Sequence, residues 1–216
     1  MNILIMGPAG SGKGTMSEKI VEHFQLAHIS TGDMLRAAIK NKEPYGVETK
    51  KLMDEGLLVP DDLINKIVKA RLEKSDVIHG FLADGYPRTL PQAQTFDIIL
   101  DELGKKVDLV IDLTIDFKEL AKRITGRRLC PSCGMIYHIA FKPTKVEGIC
   151  DNCGAKLIQR SDDTVEQLTV RLDEHMRKAT PVLAYYEAKG IVRHVDASGT
   201  IDEIFDEIKS IIEGAK

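Results

Sequence analysis

The stretch "GPAGSGKGT", Gly7–Thr15, follows the apolar run "NILIM" at Asn2–Met6 and precedes an amphipathic segment. A strand that runs into a glycine-rich turn and then a helix is the setting of a phosphate-binding loop, written G-x-x-x-x-G-K followed by Ser or Thr. The glycines let backbone N–H groups turn inward, and the helix N-terminus adds a partial positive charge. Lys13 then serves as a mobile point charge for the outer phosphates. Strand, spacing and lysine together favour this reading over a helix start carrying chance glycines. One position departs from the pattern. Gly14 stands where the magnesium-binding hydroxyl belongs, and Thr15 brings a hydroxyl one place late. Another group must help place the ion, and an Asp at the end of a neighbouring strand is the natural source.

Outward from that loop, short apolar runs alternate with longer amphipathic ones, which points to an α/β protein with a parallel sheet flanked by helices. Strands are expected at Asn2–Met6, Phe81–Asp84, Val107–Leu113 and Ile191–Val195, with a short one around His28 and Ile29. Helices are expected over Lys13–Phe24, Asp61–Lys74, Leu90–Leu103, Phe117–Thr125, Val165–Lys189 and Ile201–Glu213. Asp61 and Thr200 fall at expected N-caps and Gly190 at an expected C-cap. Two segments break the rhythm: Ser30–Pro60, with short helical patterns around "NKEPYG", and Cys130–Gln159, with all four cysteines and the β-like "MIYHIAF". Both read as insertions into one core, which suits a chain of 216 residues. A net charge of −3 argues against a nucleic-acid partner. No run approaches the roughly 20 apolar residues of a membrane span. The opening "MNILIMGPAG" lacks a basic n-region and a cleavage site, so a cytoplasmic location is expected.

"FLADGYPRT", Phe81–Thr89, supplies the missing Asp. Ligands of open parallel sheets bind beyond the carboxyl ends of strands, where this stretch places Asp84, Gly85 and Arg88. Taken alone, it could equally be a turn after a buried strand. Together with the lysine-glycine-threonine of the loop, Gln92 four places past the Arg, "HISTGDMLR" (His28–Arg36) and "GLLVPD" (Gly56–Asp61), it resembles the adenylate kinase family over essentially the whole chain. That resemblance implies a P-loop kinase core (residues 1–29, 60–126 and 161–216), a helical AMP-binding insertion (30–59) and a small zinc-containing β lid (127–160). It assigns Gly10, Ser11, Gly12, Lys13, Gly14, Thr15, Arg123, Arg127, Ile136 and Tyr137 to ATP. Thr31, Arg36, Leu58, Val59, Gly85, Arg88, Gln92, Arg160 and Arg171 fall to AMP, with Leu58 and Val59 flanking the adenine and Gln92 reading its edge. Arg36 and Arg88 would clamp the α-phosphate bidentately. Asp84 would hold Mg2+ through water. Two departures are small: Ala9 stands where the family often has Pro, and Tyr86 where Phe is commoner.

Arg123 and Arg127, four apart on a helical pattern, share a face, and Arg160 and Arg171 flank the next helix start. Any one of them alone is better read as a solvated charge; in the family's context they surround the transferring phosphoryl group. ATP and AMP bring roughly six negative charges. Mg2+, Lys13 and the arginines at 36, 88, 123, 127, 160 and 171 neutralise that without surplus. The catalytic set implied is Lys13, Asp84, Arg88, Arg123, Arg160 and Arg171. Phosphoryl transfer needs positioning and electrostatic stabilisation, and the acceptor oxygen is already ionised, so no general base is expected.

Cys130-x-x-Cys133 and Cys150-x-x-Cys153 lie 16 residues apart, inside the window of a four-cysteine Zn2+ site, and each pair is followed by Gly, as tight knuckles require. Free buried thiols or a redox pair are the alternatives. Four thiolates leave no open position, so the metal is expected to be structural and His138 to stand outside its coordination. The function implied is reversible Mg2+-dependent transfer of the ATP γ-phosphoryl to AMP, giving two ADP, by a monomer. A UMP or CMP kinase is the nearest rival. A P-loop protein whose zinc knuckles bind nucleic acid is a further one, kept open by the basic "RITGRRLCPSCG".

Overall fold

The computed structural model describes residues 1–41, 49–50, 59–159 and 163–215, apart from the side chains of Arg171 and Glu174. Its centre is a parallel sheet ordered β2 (Ala27–Ser30), β3 (Phe81–Asp84), β1 (Asn2–Met6), β4 (Leu109–Thr114), β7 (Val192–Asp196). Ile3 of β1 lies opposite Leu82 of β3 on one side and Leu109 of β4 on the other. All five residues of β1 are buried, because helices cover both faces of the sheet. Successive side chains divide between the faces. Ile3 and Ile5 join Leu82, Leu109, Ile111, Leu113 and Val195 under α1 (Lys13–Phe24) and α7 (Ile201–Gly214). Leu4 and Met6 join Phe81, Ala83 and Val110 under α2 (Thr31–Lys40), α3 (Asp61–Leu72), α4 (Leu90–Glu102) and α6 (Val165–Glu187).

The strand order reverses at β1: the chain runs from β1 outward to β2, returns to β3, and then crosses to β4 on the other side. The loop after β1 therefore opens into the crevice of a doubly wound sheet. Helix starts follow the side-chain capping signals in the sequence. Thr89, Thr164 and Thr200 each accept a hydrogen bond from the backbone N–H three residues on, and Glu203 closes a capping box with Thr200. Asp61 is not the cap it was expected to be. Pro60 takes that position, and the Asp61 carboxylate accepts instead from Gln92 Nε2 at 2.6 Å and Thr89 Oγ1 at 3.2 Å, tying α3 to α4. Helix α6 ends at Glu187 with Ala188 as its C-cap, so Gly190 is not the cap it was expected to be; it follows two residues later at φ 73°.

After α5 (Phe117–Gly126) the chain leaves the core as an antiparallel pair, β5 (Arg127–Leu129) and β6 (Ile136–His138), and returns past a bridge from Leu129 to Ile158. This lid has its own small core of Cys130, Tyr137, Cys150 and Leu157. Among the described residues no helix is long and apolar enough to cross a membrane.

Phe96 of α4 is 0% exposed and meets Phe81 and Tyr86 edge-on at 6.0 and 5.2 Å between centroids. Phe96→Ala leaves a cavity at the junction of β3 and α4 and should lower unfolding free energy by about 3–5 kcal/mol, read from urea melts.

Candidate active site

The phosphate loop lies between the end of β1 and the first turn of α1, whose N-cap is Gly12. Gly7 has no room for a side chain: a Cβ there would meet the Leu113 carbonyl at 2.7 Å and Ser11 Oγ at 2.9 Å, at a φ of 137°. Lys13 folds back over the loop and donates to the carbonyls of Gly7 at 2.6 Å and Pro8 at 2.9 Å. Burial lowers its pKa to about 8, with Arg88 and Arg127 pressing the same way and Asp84 and Asp112 opposing.

A cavity of about 880 Å³ opens above the loop. Its floor is Ala9–Met16 with Asp84, one wall carries Arg123 and Arg127, and the roof is Ile136–His138 with Phe141 and Lys142 from the lid. The Ser198–Ile204 segment closes the far end. Arg123 spans the cavity, donating to the Ser11 carbonyl and to that of Gly199, both at 3.4 Å. Burial lowers the pKa of Arg123, while Glu119 and Asp196 offset it.

Arg127 does not share a helical face with Arg123. Helix α5 stops at Gly126, and Arg127 turns to extended backbone (φ −67°, ψ 140°) to pair with His138 in the lid hairpin. It still reaches the cavity, and its guanidinium grips the fully buried Asp163 through two bonds, one from Nε at 3.0 Å and one from Nη2.

A second set gathers at the end of β3. Gly85 has φ 79°, and a Cβ there would stand 3.1 Å from both Arg88 Nη2 and Thr31 Oγ1. The Gly85 carbonyl accepts from Thr31 Oγ1 at 2.9 Å and from Arg88 Nε at 2.8 Å. Burial lowers the Arg88 pKa, opposed by Asp84 and reinforced by Arg36. Arg36 is held by Asp33 one turn earlier in α2. Gln92 is buried, with Oε1 accepting from Arg88 N at 2.7 Å and Nε2 donating to Asp61. Val59 is buried among the core residues of this side. The Tyr86 hydroxyl, an addition relative to a Phe, donates to Asn65 Oδ1 at 2.5 Å and so anchors α3 to this turn. Leu58, Arg160 and the side chain of Arg171 lie outside the described residues.

The four cysteine sulfurs lie within 4.8 Å of one another, with Cys130 3.4 Å from Cys153 and Cys133 3.5 Å from Cys150. These spacings far exceed a disulfide bond and bracket the about 3.8 Å between thiolates around a tetrahedral zinc. The knuckles match: Gly134 N–H bonds the Cys130 carbonyl at 3.0 Å and Gly154 N–H that of Cys150 at 2.9 Å. The Tyr137 hydroxyl beside Cys150 Sγ, at 3.5 Å, holds that thiol down to about 6. His138 stands apart: its Nδ1 accepts from the backbone of Ala140 and Phe141, and its ring stacks on Phe141 at 4.5 Å.

Three features escaped the sequence reading. The Ser198–Thr200 turn follows β7 as the phosphate loop follows β1, and that shared strand-end position was its signal. Asp61 orients Gln92 from a different helix, which no local pattern announces. His175 of α6 is partly buried, and burial, with Lys13 and Arg88 pressing the same way, holds its pKa down; only its place in a helical stripe marked it.

Sheet order, the phosphate loop and the two basic clusters beyond the carboxyl ends of β1 and β3 fit a P-loop phosphotransferase. The family model described as adenylate kinase matches residues 5–191. An adenylate kinase of Carboxydothermus hydrogenoformans is 47% identical over 213 residues, covering 99% of this chain and 100% of that protein. One from Brevibacillus brevis is 47% identical over 214 residues, with 99% and 100% covered. The adenylate kinase of Bacillus subtilis is 45% identical over 216 residues, the full length of both chains. The chain belongs to the adenylate kinase family.

With Lys13 near about 8 in the folded state and 10.5 as its ordinary value, the unfolded chain holds the extra proton between those pH values. Stability of the ligand-free protein should therefore gain a rising contribution from Lys13 as pH climbs from 8 to 10.5. Urea melts of Lys13→Met across that window should lack the gain. At the lid, Cys150→Ser should lower bound metal and the thermal midpoint more than turnover at moderate temperature. Metal analysis and calorimetry on one preparation check this.

Proposed function

We propose that this chain transfers the γ-phosphoryl group of ATP reversibly to AMP, giving two ADP, as a cytoplasmic monomer. The supporting observation is that Lys13, on the floor of the cavity, and Arg88, in the cluster at the end of β3, lie close enough for the charge of Arg88 to press on that of Lys13. A donor phosphate chain on Lys13 would then end beside an acceptor phosphate on Arg88.

In this reading the loop N–H groups from Gly10 to Thr15 cradle the ATP phosphates. Arg123 and Arg127 hold them from the wall, and Ile136 and Tyr137 cover the nucleotide from the lid. Thr31, Arg36, Gly85 and Arg88 bind the AMP phosphate, and Leu58 and Val59 flank its base. Gln92 keeps one N–H and one lone pair beyond its bonds to Asp61 and Arg88 N, a donor–acceptor pair that suits an adenine edge. Arg160 and Arg171 complete the charge around the transferring group.

Asp84 is a carboxylate on the cavity floor, close enough to Lys13 to offset its burial, and fits a hydrated hard cation. Mg2+ bound there with ATP supplies charge neutralisation on the phosphates. The acceptor phosphate oxygen attacks in line, the γ-phosphorus to bridging-oxygen bond breaks, and no proton needs to move. The segments 30–59 and 127–160 close over AMP and ATP, excluding water from a phosphoryl group that would otherwise hydrolyse. The four cysteines hold Zn2+ as a staple without a chemical role.

A coupled assay of ADP formation with ATP and each of AMP, UMP, CMP and GMP tests the assignment, and AMP should be turned over fastest. Faster turnover of UMP or CMP would overturn the acceptor. Lys13→Met and Arg88→Ala should each cut turnover by at least about a hundredfold with the circular dichroism spectrum unchanged.

A further inference from the structure

A side-chain amide can be turned end for end with almost no change of shape, but its two ends differ in chemistry. In Gln92 the Oε1 end accepts and the Nε2 end donates, and each meets a partner that fits one orientation only. Oε1 accepts from the backbone N–H of Arg88 at 2.7 Å, and Nε2 donates to Asp61 Oδ1 at 2.6 Å. A backbone N–H only donates and an ionised carboxylate only accepts. Turning the amide would therefore set donor against donor and acceptor against acceptor. Gln92 is 2% exposed, where such mismatches are costly. Asp61 is itself held, because Thr89 Oγ1 donates to its other oxygen at 3.2 Å.

We propose that Asp61 is a specificity-determining residue: by holding Gln92 Nε2 it makes the site accept a purine bearing an amino group and reject one bearing a carbonyl in its place. This rests on the reading of Gln92 as the adenine contact. Adenine presents an amino donor beside a ring-nitrogen acceptor, which the remaining lone pair of Oε1 and the remaining N–H of Nε2 match. Hypoxanthine presents a carbonyl beside a ring N–H, the same pattern reversed. A Gln92 free to turn would serve either base; one held by Asp61 serves adenine. Asp61 acts here through Gln92, as a positioning residue. A tie between α3 and α4 alone explains it poorly, because α3 is anchored independently of it. The Tyr86 hydroxyl donates to Asn65 Oδ1 one turn further on, at 2.5 Å, and Ile64, Val68 and Leu72 are buried in the core.

The test compares AMP with inosine monophosphate as acceptor, at fixed ATP and Mg2+. In Asp61→Ala the preference for AMP, as a ratio of kcat/KM values, should fall by about tenfold or more, the worth of one hydrogen bond to a charged group. KM for ATP should change by less than about threefold. A structural tie alone would instead lower the thermal midpoint and affect both acceptors alike. Asp61→Asn, whose Oδ1 can still accept from Gln92 Nε2, should keep most of the preference. If Asp61→Ala does not fold, 1H–15N spectra of the wild-type protein decide. Adding AMP should move one Gln92 side-chain proton and leave the one bonded to Asp61 in place, and equal movement of both overturns the inference. An unchanged acceptor ratio in Asp61→Ala overturns it too, while a wild-type preference for AMP still upholds the reading of Gln92. If the wild-type protein does not prefer AMP to inosine monophosphate, that reading falls, and this inference with it.

Discussion

Cations crowded into one cleft repel each other, and burial removes the water that would screen them. The consequence is visible at Lys13, Arg88 and Arg123, all shifted toward neutrality by burial. The chain offsets this by giving each cation an acceptor of its own. Lys13 rests on the Gly7 and Pro8 carbonyls, Arg88 on that of Gly85, and Arg123 on those of Ser11 and Gly199. Arg36 rests on Asp33 and Arg127 on Asp163. The loop conformations that sequence readers recognise as motifs are, on this view, arrangements that aim carbonyls at cations.

The acceptors are not equivalent. A carbonyl bond is readily exchanged for a stronger charge-assisted bond to phosphate, so Lys13, Arg88 and Arg123 can turn to a ligand at little cost. Arg36 leaves a carboxylate, but an exposed one, where an ion pair is worth little. Arg127 is different. Asp163 is fully buried, and abandoning it would strand a charge inside the protein. A guanidinium has five N–H donors, and Asp163 takes two of them. Arg127 can thus serve a phosphate without leaving its partner. Because it is also the first residue of β5, the same pair fixes the root of the lid to the chain entering α6.

What was legible in the sequence was what depends on neighbours along the chain. The strand, loop and helix from Asn2 to Phe24 were readable to the residue because burial pattern, turn chemistry and helix start agree. The two cysteine knuckles and the strand end at Asp84 were readable for the same reason. Arg127 misled because helical spacing continues through Gly126, while the backbone is decided by pairing with His138 eleven residues later. Asp61 misled because its carboxylate serves a helix 31 residues away rather than its own N-terminus. Gln92 and His175 owe their environments to such crossings, so type and spacing alone could not define what they face.

The lid shows how a remote staple reaches the chemistry. A two-stranded ribbon with a core of four side chains, two of them cysteines, is too small to hold itself. A metal held by the four cysteines would contribute folding energy there. Tyr137 joins that core to the cavity: it forms part of the cavity roof, its hydroxyl lies beside Cys150 Sγ, and the same oxygen accepts from Asp151 N at 3.0 Å. The position of the second knuckle therefore sets the position of a residue that faces the cavity above the phosphate loop. A metal in this site would need no part in phosphoryl transfer to influence the cavity, because losing the knuckle would release Tyr137 and, with it, part of the cavity roof.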